Sequence, residues 1–203
     1  MSVYQLKSRF QNILRPLVRR LAAGGITANQ VTCLAAAISV ALGLFLCFAP
    51  HRHWFLLIPI WFLLRMGLNA IDGMLAREHG QKSILGAYLN EISDIISDAA
   101  LYLPFALIYP VGLMPALAVI FLSVLSEFAG VLGQTVGASR RYDGPLGKSD
   151  RAVLFGVLGI FVGSGGTFAA WTFWFWAVVA LLLLWTIVNR IRNGIREART
   201  SVG

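Results

Sequence analysis

Six apolar stretches, at about 30–49, 54–78, 84–109, 112–136, 152–170 and 172–189, constrain this chain more than anything else in it. An α-helix needs about 20 apolar residues to cross the ~30 Å hydrocarbon core of a bilayer, and each stretch is close to that length or beyond it. Helix-breaking sequences separate them: Ala49-Pro50, Tyr109-Pro110 and the glycine-rich run 163–166. With 203 residues, 58% hydrophobic and 13% charged, six crossings use nearly the whole chain. A soluble domain, in which roughly a quarter of residues are charged, is excluded. The expected fold class is therefore an all-α integral membrane protein with six transmembrane helices, and no repeat or linker suggests a second large domain. Cys33 and Cys47, about four turns apart in the first stretch, are too distant to bridge within one helix and read as packing residues.

Residues 1–25 have a different pattern. Val3, Leu6, Phe10, Ile13, Leu14, Leu17 and Leu21 recur at helical steps between Lys7, Arg9, Arg15, Arg19 and Arg20. This alternation predicts an amphipathic juxtamembrane helix lying on the membrane surface, with Pro16 a candidate kink and Gly24-Gly25 its end. Lacking the continuous apolar core of a cleaved leader, it is expected to be retained. Residues 26–203 form the expected transmembrane domain. The net charge of +8 gathers in alternate loops: Arg77 and Lys82, then Arg140, Arg141, Lys148 and Arg151, then Arg190, Arg192, Arg196 and Arg199, against Arg52 alone on the other side. Cations resist transfer to the outer face, so both termini are expected in the cytoplasm, with a bacterial inner membrane as the setting. The basic helix is then an anchor on anionic lipid, and no nucleic-acid partner is called for.

Topology does not explain the acidic residues. Asp72 falls in the second stretch, Glu91, Asp94 and Asp98 in the third, and Glu127 in the fourth, where an ionised group is expensive. Arg65, Asn69, Asp72 and Ala76 share one helical face, and Gly86, Asn90, Asp94 and Asp98 form an i, i+4 stripe on the next helix. The short connection 78–83 makes these helices antiparallel neighbours. Oxygens from Asn69, Asp72, Asn90, Glu91, Asp94 and Asp98 suit a hard dication, Mg²⁺ or Mn²⁺, whereas a polar seam neutralised by Arg65 explains the same pattern without a metal. Arg65 has to pair, with Asp72 or Glu127 as the expected partner, and Glu127 is expected to make an interhelical contact.

The order of residues is more specific than their spacing. NAIDGMLAREHGQKSILGAYLNEISD, residues 69–94, resembles the signature of the CDP-alcohol phosphotransferase family, D-x2-D-G-x2-A-R-x8-G-x3-D-x3-D. Asp72, Gly73, Ala76, Arg77, Gly86 and Asp94 match at the family's intervals, while Asn69 and Asn90 stand at its first and third aspartates. ITANQVT at 26–32 and GPLGKSDR at 144–151 look like further family segments. The resemblance implies transfer of a phosphatidyl group from a CDP-diacylglycerol-like donor to a small polar, possibly phosphorylated, alcohol with release of CMP, and a homodimer.

The resemblance also implies that the signature residues hold metal on the donor diphosphate and that Asp94 is the base; on its residue chemistry alone Asp94 also reads as a partner for Arg65 or Arg77. Arg77, Gly73 and Gly86 are then expected at the donor, Lys148 and Arg151 at the acceptor, and Asn29 and Thr32 either at the nucleotide or capping their helix. Arg140, Arg141 and Arg190 are candidates for an acceptor phosphate, although topology alone accounts for them. Glu91 and Asp98 are candidates to restore the charge that Asn69 and Asn90 remove. Two other readings remain open: a lipid- or nucleotide-binding relative without catalysis, and an ion-coupled transporter.

Overall fold

The computed structural model describes residues 3–108, 113–169 and 171–202, with side chains described between residues 9 and 200 of these ranges. Every regular element among them is helical: α1 (Val3–Ala23), α2 (Ala28–Phe48), α3 (Leu57–Glu78), α4 (Ile84–Ala106), α5 (Leu113–Leu132), α6 (Lys148–Gly163) and α7 (Trp171–Val202). Short 3-10 turns lie at Arg52–Leu56 and Gly133–Val136. The break expected at Tyr109-Pro110 and the side chains of Val3, Leu6 and Lys7 fall outside the described residues.

Among the described residues four segments are long and apolar enough to cross a membrane: Ala28–Phe48, Arg52–Glu78, Leu113–Val136 and Trp171–Thr200. The other two expected spans differ from these for physical reasons. The α4 helix carries three carboxylates, and the 16 residues of α6 rise only about 24 Å. Large apolar side chains such as Phe173, Trp174, Leu181 and Trp185 on α7 are exposed, which suits contact with lipid rather than water. The protein is a membrane protein.

The chain divides into two compact units, one of Met1–Leu42 and Ile60–Asp98, the other of Gly43–Pro59 and Ala99–Gly203. In the first, α1 continues through Pro16 and ends in a Schellman turn. Gly25 takes φ +77°, while the Ile26 and Gly25 amides donate to the carbonyls of Leu21 and Ala22 at 3.0 Å each. Leu14, Val18, Leu21 and Ala22 pack on Ala28 and Val31 of α2 and on Ile71, Met74 and Leu75 of α3. A fully buried valine or leucine contributes about 1.5–3 kcal/mol, so this stripe fixes α1 in place, with Ile13 and Leu17 exposed beside it. Arg15 adds two hydrogen bonds, each 3.1 Å, to Glu78 at the end of α3.

The start of α2 corrects one expectation. Neither Asn29 nor Thr32 caps it. Thr27 Oγ1 accepts from the Gln30 amide at 3.2 Å, and Gln30 Oε1 accepts from the Thr27 amide at 2.9 Å, a reciprocal capping box. Gln81, in the connection 79–83, accepts from the Ala28 amide at 2.7 Å and donates to the Ile26 carbonyl at 3.4 Å. The turn between α3 and α4 is thereby docked on the head of α2.

In the second unit α5 packs along α7. Tyr102 stacks on Phe155 with ring centroids 3.7 Å apart, and Phe105 and Trp176 extend this aromatic core. Close backbone approach needs glycine at Gly43, where a Cβ would lie 2.2 Å from the Ala100 carbonyl oxygen. In the loop after the second 3-10 turn, Gly144 adopts φ +119° with a Cβ position 2.6 Å from Thr186 Cα, seating the loop against α7.

Candidate active site

Two groups of polar side chains sit inside these units. The first belongs to α2, α3 and α4. Asp72, buried on α3, receives the hydroxyl of buried Thr32 on α2 at 2.8 Å, and Thr32 Oγ1 is also 3.1 Å from the Ala28 carbonyl. One turn earlier on the same face of α3, Asn69 Nδ2 lies 3.5 Å from Asp94 Oδ1 of α4. The signature faces of α3 and α4 therefore meet at Asn69 and Asp94, as the spacing predicts.

Arg65 pairs with carboxylates of α4: with Asp94, one of the readings of that residue, and with Asp98 beside it. Its Nη2 lies 3.0 Å from Asp94 Oδ1 and 3.2 Å from the Asp94 carbonyl, and its Nη1 lies 2.5 Å from Asp98 Oδ1. Asp94 and Asp98 are one turn apart on the helix facing α3, so one guanidinium fork reaches both. Asp72 lies on Arg65's own helix, seven residues away, and Glu127 meets arginines elsewhere in the chain.

The remaining signature residues line the same helices. Arg77, exposed at the end of α3, folds over Gly73, its guanidinium nitrogens 3.0 and 3.1 Å from where a Cβ would stand. Gly86 near the start of α4 admits Asn29, whose Oδ1 would be 2.8 Å from a Cβ there, and its amide donates to Ser83 Oγ at 2.9 Å. Ala76 packs on the core formed by α1, α2 and α3. Asn90 and Glu91 are partly buried one turn before Asp94.

Whether these donors fit a divalent ion is decided by their chemistry. Among the described residues no three His, Cys, Asp or Glu side chains converge. Asp94 and Asp98 face a guanidinium, whereas Asp72 presents a carboxylate one turn from an amide on the same face. Carboxylate and amide oxygens of this kind suit a hard divalent ion, which also takes substrate and water oxygens.

The second group surrounds Glu127 of α5. Its Oε1 is 2.8 Å from Arg151 Nη2 and 3.3 Å from Arg190 Nη1, and its Oε2 is 3.3 Å from Arg140 Nη2. Glu127 is 5% exposed and Arg151 and Arg190 are 1% exposed each, so two buried guanidinium groups and the partly exposed one of Arg140 meet one carboxylate. Arg151 also donates to Ser126 Oγ at 3.2 Å and the Leu146 carbonyl at 3.3 Å, and Arg190 donates to the carbonyls of Ser126 and Asp143. Arg140 lies over the Tyr142 ring, 4.6 Å from its centroid. Lys148 is the first residue of α6 and partly buried.

Beside this group Arg141 grips Asp143 with bonds of 2.8 and 3.0 Å and reaches Glu197, and Asn193 donates to Asp143 at 3.0 Å. These hydrogen bonds, Arg141's first, hold the Asp143 carboxyl below its ordinary range and push the Arg141 guanidinium higher. Ser126, Asp143 and Asn193 carry no spacing signal in the sequence, because their contacts bring together residues far apart along the chain.

Comparison with known proteins agrees with the fold. Residues 25–188 match the family model of CDP-alcohol phosphatidyltransferase. The chain is 45% identical over 193 residues to inner membrane protein YnbA of Escherichia coli (strain K12), covering 95% of this chain and 96% of that one. It is 32% identical over 96 residues to phosphatidylinositol phosphate synthase of Mycobacterium tuberculosis (strain ATCC 25618 / H37Rv), covering 47% of this chain and 43% of that enzyme.

Crystal structures of the Mycobacterium tuberculosis enzyme share the fold. The form with CDP-DAG bound gives a TM-score of 0.74 at 21% identity, over 90% of this chain and 94% of that one. The form in complex with manganese and citrate gives 0.72 at 21%, over 88% and 87%. Signature, helical architecture and matched range agree: the chain belongs to the CDP-alcohol phosphatidyltransferase family, whose members are divalent-metal-dependent transferases.

Proposed function

We propose that the chain transfers the phosphatidyl group of CDP-diacylglycerol to a small polar alcohol and releases CMP, as a step in phospholipid synthesis. The observation that carries this reading is the meeting of the two signature faces at Asn69 and Asp94, with Asp72 and Arg77 on the same helix as Asn69. The acceptor hydroxyl oxygen attacks the phosphatidyl phosphorus, the bond from that phosphorus to the CMP oxygen breaks, and CMP leaves with the electron pair. Asp94 takes the hydroxyl proton as general base. Arg77 holds the donor diphosphate, and Gly73 and Gly86 keep the adjacent helix surfaces free of side chains.

A bound Mg²⁺ or Mn²⁺ would neutralise the diphosphate and polarise the phosphoryl oxygens. Asp72 with Asn69 and Asn90 would hold it, Glu91 lies close enough in sequence to add charge, and Asp98 serves Arg65 instead. Thr32 orients Asp72 by its hydrogen bond, and Asn29 sits against Gly86 at the nucleotide side of this group. Lys148, Arg151 and Arg190 supply the cations for a phosphate on the acceptor, with Glu127 balancing them.

The same reading places six spans in the inner membrane, α4 and α6 included, both termini in the cytoplasm, α1 on the membrane surface and the chain in a homodimer. The test is CMP release from labelled CDP-diacylglycerol by purified protein with Mg²⁺ or Mn²⁺ and a panel of glycerol, inositol, serine and sugar phosphates. Metal-dependent CMP release with one acceptor is the expected result. Binding of the donor without release would leave a non-catalytic relative, and vesicle uptake without CMP would mark a transporter.

A further inference from the structure

Arg65 lies well inside α3, within a candidate span, and is 4% exposed, so it has no part in orienting the chain. A guanidinium at such a position is kept by its counter-charges. Here they are the two carboxylates of α4 that stand one turn apart, Asp98 at 2.5 Å and Asp94 at 3.0 Å, with a further bond to the Asp94 carbonyl at 3.2 Å. The fork geometry lets one side chain serve both. Asn69 adds its NH₂ to the same Asp94 oxygen at 3.5 Å. Asp94 Oδ1 thus accepts from two N–H donors, and a dication placed against it would sit beside a fixed positive charge. Positions 69 and 90, on the faces that meet here, carry neutral amides. Asp72 accepts the hydroxyl of Thr32.

We propose that Arg65 is a built-in cation that occupies the Asp94–Asp98 end of this carboxylate group, so that the chain holds one divalent ion, at Asp72, rather than a pair. Arg65 is then a positioning residue. It fixes the Asp94 carboxylate facing α3 whether or not metal and donor are bound, a task that a second ion would otherwise perform only when loaded. The inference rests on the metal-dependent reading of the site and makes Asp72 the residue on which metal affinity depends.

The experiment counts Mn²⁺ bound to the full-length chain in detergent by equilibrium dialysis, with electron paramagnetic resonance of the bound ion and CMP release followed on the same preparation. One Mn²⁺ per chain is expected, with the spectrum of an isolated ion, and R65K keeps that count. R65Q, which strips the cation from Asp94 and Asp98, is expected to raise the count from one to two with a spin-coupled spectrum. Two coupled ions in the unmodified chain overturn the proposal without touching the enzymatic reading, and so does a folded R65Q that still binds one. Should R65Q fail to fold, the count in the unmodified chain and in R65K decides. Absence of bound Mn²⁺ also overturns it, and the parallel CMP measurement shows whether the enzymatic reading falls too.

Discussion

Thr32 Oγ1 lies 2.8 Å from Asp72 Oδ2, a hydroxyl of α2 serving a carboxylate of α3 with both residues buried. A hydrogen bond to a charged group contributes about 1.5–3 kcal/mol. T32V therefore lowers the melting midpoint in detergent and reduces CMP release by about tenfold or more, whereas T32S keeps most of both. Unchanged turnover in T32V would remove Thr32 from the account of Asp72.

Asp94 is the proposed base, and its carboxylate is also an anchor for Arg65. D94N keeps an oxygen for Arg65 but cannot take the acceptor proton. Turnover is expected to vanish while the protein still elutes as a folded species and binds donor. Activity retained by D94N in detergent would defeat the assignment.

Glu127 balances three arginines, two of them wholly buried. Removing one member of a buried ion group destabilises by about 3–5 kcal/mol, because the remaining charges keep their burial and lose their partner. E127Q is expected to lose that much in thermal unfolding followed by tryptophan fluorescence. Inorganic phosphate should restore part of the loss by supplying the missing negative charge, and sodium chloride at equal ionic strength should not.

Asp143 predicts an acid limb. Arg141 and Asn193 hold its folded carboxyl below the ordinary value, so between the two values the unfolded chain binds more protons. The stability from this group is complete above the unfolded value, about pH 3.9, and is lost as pH falls through the lower folded value. D143N is less stable than the parent at neutral pH and shows a shallower decline on acidification. Melting midpoints measured from neutral pH down to about pH 3 check both statements.

Much of this arrangement was legible from spacing. The α3 and α4 stripes follow from i, i+4 recurrence over short range, and the break at 163–166 appears where α6 ends and Gly165 turns to φ +91°. The contact of Glu127 with other segments was expected from an ionised group in an apolar stretch, but its partners were not, since Arg140, Arg151 and Arg190 lie 13, 24 and 63 residues further along.

The partner of Arg65 depends on the rotation of α4, which periodicity leaves unset until both helices are packed. The α2 cap has a local signal of its own: Thr27 and Gln30 stand three residues apart before an apolar run, a capping-box spacing, whereas Asn29 and Thr32 offer suitable residue types too late in the chain. Four candidate spans among the described residues, where six were expected, reflect the three carboxylates that dilute α4 and the 16-residue length of α6.

The members of the cluster around Glu127 are also made one after another during synthesis. A chain emerges from its N-terminus, so α5 is delivered to the bilayer before Arg140, Arg151 and Arg190 have all been made. During that interval the carboxylate lacks Arg190, the last of its guanidinium neighbours along the chain. The full set of charges around Glu127 therefore exists only once α7 has been translated, and Arg190 is its last member to be made.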